Sequence, residues 1–206
     1  MIKERKANRM KGYDYSTDNL YFVTSCVQNR INCFGEIYVQ TVRYLNHKMD
    51  DLSPKMIVNE YGKIAEQQWY WLADQYPYVK LHAFVVMPNH IHGIIEIKLN
   101  AVGTGREHVG SGHDHAGTDR EHAGTGHDLS LPEPVIKIKS LSGLIGAYKT
   151  TVSKQIHLLG YMEFAWQRSF HDHIIRNEKS YQKIFNYIIC NPQKWVEDKF
   201  YNNDKK

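Results

Sequence analysis

Residues 85–97 read VVMPNHIHGIIEI, an apolar run broken by one Pro-Asn pair and by two histidines one residue apart. The run is too short and too interrupted to cross a bilayer. In an extended strand successive side chains alternate faces, so His90 and His92 share one face while Ile91 and Gly93 share the other. Pro88 and Asn89 favour a tight turn, which joins HIHGIIEI to the preceding YVKLHAFVVM as a hairpin. Two imidazoles buried on one face of such a strand each need a hydrogen bond or a metal, because an unpaired buried polar group loses its water without compensation. The strand alone leaves both solutions open.

The rest of the chain supplies the neighbours of this hairpin. NLYFVTSCVQ, residues 19–28, is rich in aromatic and β-branched residues and predicts a strand. From Ile57 to Gln75 the residues Ile57, Tyr61, Ile64, Trp71 and Leu72 fall at helical spacing. Leu141, Leu144, Ile145, Tyr148, Val152 and Ile156 mark a second helix opened by Ser140. WQRSFHDHIIR, residues 166–176, predicts a fourth strand. Tyr181, Ile184, Phe185 and Ile188 mark a third helix that must bend or stop near Pro192. Strand, helix, hairpin, helix, strand is the order of a split βαβ unit. The expected fold is therefore α+β: a ferredoxin-like split βαβ sandwich with an antiparallel sheet, helices on one face, and an additional C-terminal helix. Such sheets commonly leave their other face open, and the fold itself hosts many functions.

At 206 residues the chain suits one domain carrying an insertion. From residue 103 the glycines align as GTGREHV, GSGHDHA, GTDREHA and GTGHDL, a degenerate seven-residue repeat. Each unit holds one small apolar residue, so no coiled-coil stripe can be buried. Residues 99–134 are expected to form a flexible, disordered insertion. Its histidines, His108, His113, His115, His122 and His127, invite a metal claim, but a floppy chain loses ordering entropy on chelation, and a tolerated tandem duplication accounts for them.

Charge sits on the folded part. The chain carries +4, and residues 101–130, with Arg106 and Arg120 against Asp114, Asp119, Asp128, Glu107 and Glu121, carry −3, leaving +7 elsewhere. Together with 14 Tyr, 4 Trp and 7 Phe, this surplus suits phosphate contacts and base stacking. The basic stretch MIKERKANRMK lacks an apolar core, so no secretory signal is expected. Cys26, Cys33 and Cys190 are odd in number and have no CxxC spacing, which disfavours a disulfide framework or a zinc ribbon. A reducing, cytoplasmic setting is expected, with no membrane partner.

The third predicted helix brings in chemistry. Tyr187 and Asn191 in NYIICNPQKW are four residues apart and share a helical face, off the centre of the apolar stripe. A tyrosine there is reachable by substrate. Two imidazoles and an amide oxygen can hold a divalent ion with positions open to phosphate oxygens. Such an ion would neutralise charge building on a phosphoryl group, and a tyrosine hydroxyl, a poor nucleophile alone, gains from that neighbourhood.

MPNHIHGIIE resembles the HUH motif (His, hydrophobic, His) of single-strand DNA nucleases, and YIICNP resembles the catalytic motif of the REP-associated tyrosine transposases. The flanking GYDYSTDNLYFVTSCVQNRINCFGEI and WQRSFHDHIIRNEKSYQKIFNYIICNPQKW are similar to that family as well. The resemblance covers nearly everything outside the repeat. It implies that His90 and His92 are metal ligands, that Tyr187 is the nucleophile, and that Asn191 is the third ligand, a place commonly held by glutamine in the wider transposase group. It implies a metal-dependent endonuclease and strand transferase: Tyr187 attacks single-stranded DNA, forms a 5′-phosphotyrosine link and frees a 3′-hydroxyl that later rejoins strands. Implied substrates are palindromic repeats folded into hairpins, with Arg5, Lys6, Arg9 and Lys11 as candidates for gripping them. The implied metal is Mg²⁺ or Mn²⁺, of which Mn²⁺ suits nitrogen ligands better. The sequence leaves open whether one chain completes the site or a homodimer does.

Two rival expectations remain. A non-catalytic single-stranded nucleic-acid-binding module on the same fold would use the basic and aromatic residues but not the His, Tyr and Asn set. His171 and His173 form a second His-x-His, which would suit a two-histidine phosphoesterase. Such enzymes usually carry Ser or Thr where His92 and His173 stand, so His171 and His173 are expected to be structural or to face DNA.

Overall fold

The protein is described by a computed structural model that covers residue 10 and residues 12–39, 53–99 and 138–201. Arg5, Lys6, Arg9, Lys11 and residues 100–134 of the predicted insertion lie outside the described residues. Leu99, counted with that insertion, belongs to the fold: its N–H donates to Asp18 Oδ1 at 2.7 Å and its side chain packs against the core.

In chain order the elements are β1 (Asn19–Cys26), β2 (Gly35–Tyr38), β3 (Lys55–Val58), α1 (Glu60–Gln75), β4 (Val79–Met87), β5 (His90–Ile97), α2 (Leu141–Leu158), β6 (His171–Ile175) and α3 (Glu178–Ile189), followed by a 3₁₀ segment, Pro192–Glu197. Four strands form one sheet in the order β4-β5-β1-β6, with every neighbouring pair antiparallel. With β2 and β3 set aside, this is the split βαβ order expected from the sequence.

Alternation along β5 divides the molecule. Ile91, Ile95 and Ile97 enter the main core with Tyr21 and Val23 of β1, and this side is closed by Trp69 and Leu72 of α1 and by Leu144, Tyr148 and Val152 of α2. Gly93 stands where the Trp69 indole crosses the strand, and a Cβ there would collide with Trp69 Cζ2. The indole is in turn stacked on Phe84 at 4.7 Å. The opposite face carries His90, His92, Ile94 and Glu96. Contrary to expectation it is not open, since Ile94, Ala83 and Ile175 pack with Ile188 of α3, flanked by Tyr181, Ile184 and Phe185. The apolar stripe of α3 needs a surface, and the other face of the sheet is filled by α1 and α2. All eight residues of β5 are buried as a result.

Three local expectations are corrected. Ile57 lies in β3, not in a helix, because Asn59 caps α1, its Oδ1 accepting from the N–H groups of Tyr61 and Gly62 at 3.0 Å each. Within α1 the buried indole is that of Trp69, and Trp71 is only partly covered. The last strand is shorter than residues 166–176, and Trp166 contributes a single bridge to Val27. The helix stop before Pro192, the cap at Ser140 and the hairpin turn at Pro88-Asn89 follow the sequence. Cys26, Cys33 and Cys190 are free thiols. Among the described residues no helix is long and apolar enough to cross a membrane.

Candidate metal and tyrosine centre

His92 lies opposite Thr24 of β1 and Val85 of β4, and His90 lies opposite Cys26 and Met87. A central strand thus holds both rings rigidly, at 0 % and 1 % exposure. Each ring is oriented through its Nδ1. Thr24 Oγ1 lies 2.7 Å from His92 Nδ1, and Asn89 Oδ1 lies 2.9 Å from His90 Nδ1. The Asn89 amide cannot be reversed without loss, because its Nδ2 donates to the carbonyls of Arg30 at 3.2 Å and Phe200 at 3.0 Å. Its oxygen therefore faces the imidazole and accepts from Nδ1–H. In the neutral ring this leaves the lone pair of His90 on Nε2.

That lone pair points at His92 Nε2, 3.0 Å away. Either a proton on His92 Nε2 or a shared cation must stand between them. Two nitrogen ligands each about 2.1 Å from one ion, at a right angle, are themselves about 3.0 Å apart. Burial, followed by the neighbouring His92, Lys199 and Arg30, holds the His90 pKa well below the ordinary imidazole value. Burial, followed by Lys199, lowers that of His92 to about 3. Both rings are neutral at pH 7 and so are able to donate lone pairs to a metal.

Tyr187 and Asp198 reach this pair, and Asn191 reaches Asp198. The Tyr187 hydroxyl, near the C-terminal end of α3, lies 3.1 Å from His92 Nε2 and donates to Asp198 Oδ2 at 3.4 Å. The tyrosine is 40 % exposed, so its other side is open to a ligand. Burial and then the charge of Asp198 push its pKa up to about 12. Ligand atoms of His90, His92 and Asp198 all lie within 4.8 Å of one another. Asn191 Nδ2 donates to Asp198 Oδ2 at 3.3 Å, while Asn191 Oδ1 is buried without a hydrogen-bond partner. Two neutral imidazoles and a carboxylate fit a divalent cation of intermediate hardness.

The structure thus brings together Tyr187, His90 and His92, with Asn191 joined to Tyr187 through Asp198. The reason for the Tyr187–Asn191 proximity differs from the sequence expectation. The helix ends at Ile189, and Asn191 is a buried residue, 2 % exposed, opening the 3₁₀ segment rather than a second position on a helical face. Asp198, Asn89 and Thr24 were not anticipated. Thr24 is discoverable only through the β1–β5 register, and Asp198 sits in an irregular segment where no periodicity flags a carboxylate. His171 and His173 pair with Thr24 and Phe22, which places them on the same sheet face as His92, exposed on the edge strand.

No protein-family model matches the chain. Two solved structures are similar in outline. A REP-associated tyrosine transposase bound to a REP hairpin is 17 % identical, with a TM-score of 0.49, over 97 % of this chain and 76 % of that one. A candidate transposase of Deinococcus radiodurans R1 is 14 % identical, with a TM-score of 0.39, over 88 % of this chain and 95 % of that one. An uncharacterized protein of Haemophilus influenzae is 30 % identical over 204 residues, spanning 97 % of this chain and 94 % of its relative. The chain belongs to the family of this uncharacterized Haemophilus influenzae protein.

Proposed function

We propose that the protein is a metal-dependent tyrosine transposase of the HUH type, cutting and rejoining single-stranded DNA at hairpin-forming palindromic repeats. The observation that carries this reading is the half-exposed Tyr187 hydroxyl, 3.1 Å from the Nε2 of a buried histidine whose partner Nε2 is 3.0 Å away, with Asp198 beside them. A purely structural His pair would not need an exposed tyrosine and a carboxylate at its mouth.

His90, His92 and Asp198 would hold a divalent cation, Mn²⁺ or Mg²⁺, with the Asn191 amide oxygen as a further ligand. Once bound, it supplies Lewis-acid neutralisation of charge on the scissile phosphate. Tyr187 Oη forms the new bond to phosphorus as the bond from phosphorus to the 3′ oxygen breaks. Its proton leaves toward Asp198 Oδ2 and ends on the released 3′-hydroxyl. The reverse attack by a 3′-hydroxyl restores a phosphodiester and the free phenol, so no nucleotide cofactor is consumed. Phe22, stacked on His92 at 5.4 Å and edge-on to Tyr187 at 6.1 Å, limits the ring positions open to the nucleophile. The cationic Arg5, Lys6, Arg9 and Lys11 are assigned to gripping the hairpin.

The test is a denaturing gel of wild type and Tyr187→Phe incubated with labelled hairpin DNA and Mn²⁺ or Mg²⁺. A metal-dependent covalent adduct only in wild type is expected. Tight hairpin binding with no adduct from either would replace the reading with a non-catalytic nucleic-acid-binding module.

A further inference from the structure

α3 places Tyr187, yet its only fully buried residue is Ile188. Ile184, Phe185 and the Tyr181 ring add partly buried apolar contacts, which hold the helix on the sheet but, being non-directional, leave its angle to be set by polar ties. At its other end Tyr181 supplies a polar tie: its hydroxyl lies 3.1 Å from His82 Nδ1. His82 Nε2 lies 2.8 Å from Glu96 Oε2, and Glu96 is itself held by Lys98 Nζ at 3.3 Å. The carboxylate accepts from Nε2–H, so in the neutral ring Nδ1 carries the lone pair and accepts from the tyrosine hydroxyl. Both His82 and Glu96 side chains are largely covered, at 15 % and 11 % exposure.

Two features argue that this chain of groups serves the centre. The register of β4 slips between Leu81 and Phe84, and His82 and Ala83 both serve the α3 side instead of alternating. Such a bulge re-aims a side chain. Glu96 is also on the same strand and face as His92, four residues along β5. One rigid strand therefore grips α3 twice, through Glu96 and His82 at Tyr181 and through His92 at Tyr187, which is about 9 Å further along the helix.

Building on the function proposed above, we propose that Glu96, His82 and Tyr181 form a positioning clamp that sets the tilt of α3 and holds the Tyr187 hydroxyl at the His pair. His82 and Tyr181 are positioning residues and touch no reacting atom.

The experiment uses the full chain with three substitutions. Tyr181→Phe removes the hydroxyl. His82→Gln can still reach Glu96 but leaves Tyr181 without its acceptor, whereas His82→Asn keeps an amide oxygen near the place of Nδ1. Single-turnover adduct formation is expected to slow about tenfold in Tyr181→Phe and His82→Gln, with hairpin affinity unchanged and His82→Asn, which restores the acceptor for Tyr181 but not the tie to Glu96, recovering part of the rate. A second readout needs no DNA: 3-fluorotyrosine placed at 187 should change its ¹⁹F shift or linewidth in Tyr181→Phe and His82→Gln, and much less in His82→Asn. An unchanged ¹⁹F signal overturns the clamp whether or not the wild type cleaves DNA. So does a rate loss matched by an equal loss of affinity. Abolition of the adduct in Tyr181→Phe with the ¹⁹F signal intact would make Tyr181 a reactant and overturn its positioning role. A wild type that forms no adduct refutes the transposase reading, and the ¹⁹F result still decides the clamp.

Discussion

Acidification from pH 7.5 to pH 5, in the presence of a chelator, should destabilise the protein through its two buried histidines. His92 has a folded pKa of about 3, held down by burial and then by Lys199. In the unfolded chain it returns to about 6.5. Below pH 6.5 the unfolded state therefore binds a proton that the folded state refuses. The stability contributed by keeping the ring neutral is complete above pH 6.5 and is lost as pH falls toward 3. Integrating the proton uptake from pH 7.5 to pH 5 gives a loss of about 2 kcal/mol from His92. His90 shifts in the same direction for the same first cause, burial, and adds to the loss. Urea titrations at the two pH values, on wild type and on His92→Gln, measure the difference. The variant should lose about 2 kcal/mol less on acidification. Equal losses in the two proteins would show that His92 is not held neutral in the folded state.

Gly93→Ala should destabilise the fold by about 1–3 kcal/mol or more, because the added methyl meets the Trp69 ring, and a wild-type melting temperature would refute that packing. Mn²⁺ should raise the thermal midpoint of wild type by mass action and have little effect on His92→Ala or Asp198→Ala; an undiminished shift in Asp198→Ala would remove that carboxylate from the ligand set. Replacing residues 101–130 by a short Gly/Ser linker should leave folding and cleavage largely intact, since Leu99 and Lys139 on either side are tied down by Asp18 and by the Tyr78 hydroxyl. Loss of both would make the repeat part of the fold.

The sheet and its helices were legible because their periodicities are strong. The period of two in HIHGIIEI separates the histidines from Ile91 and Ile95, and the stripe on α2 matches its buried residues one for one. β2 and β3 escaped notice because each is only four residues long with alternating partial burial, too short for a period to emerge. Ile57 was drawn into a helix because apolar spacing does not register a cap, and Asn59 stops the pattern two residues later. At the centre, the residues on regular elements were readable: His90 and His92 from strand parity, Tyr187 from helical position. Asp198 and Phe200 reach the site through a tertiary path with no local signature. The covering of the histidine face by α3 depended on which side of the sheet α1 and α2 had already filled.

The turn at Pro88-Asn89 is a junction as much as a reversal. The Pro88 carbonyl accepts from the N–H groups of Cys33 and Phe34, and the Asn89 carbonyl accepts from that of Val27. The Asn89 side chain adds Arg30, Phe200 and His90. A protein engineer who exchanged this pair for a generic hairpin turn such as Asn-Gly would keep the two strands in register. The backbone ties to Val27, Cys33 and Phe34 could survive, but the side-chain link that joins the Arg30 and Phe200 carbonyls to the His90 ring would be lost, and the imidazole would be free to swing or to change tautomer. Redesign of this hairpin is constrained less by its backbone than by a single carboxamide that cannot be transplanted without its three partners.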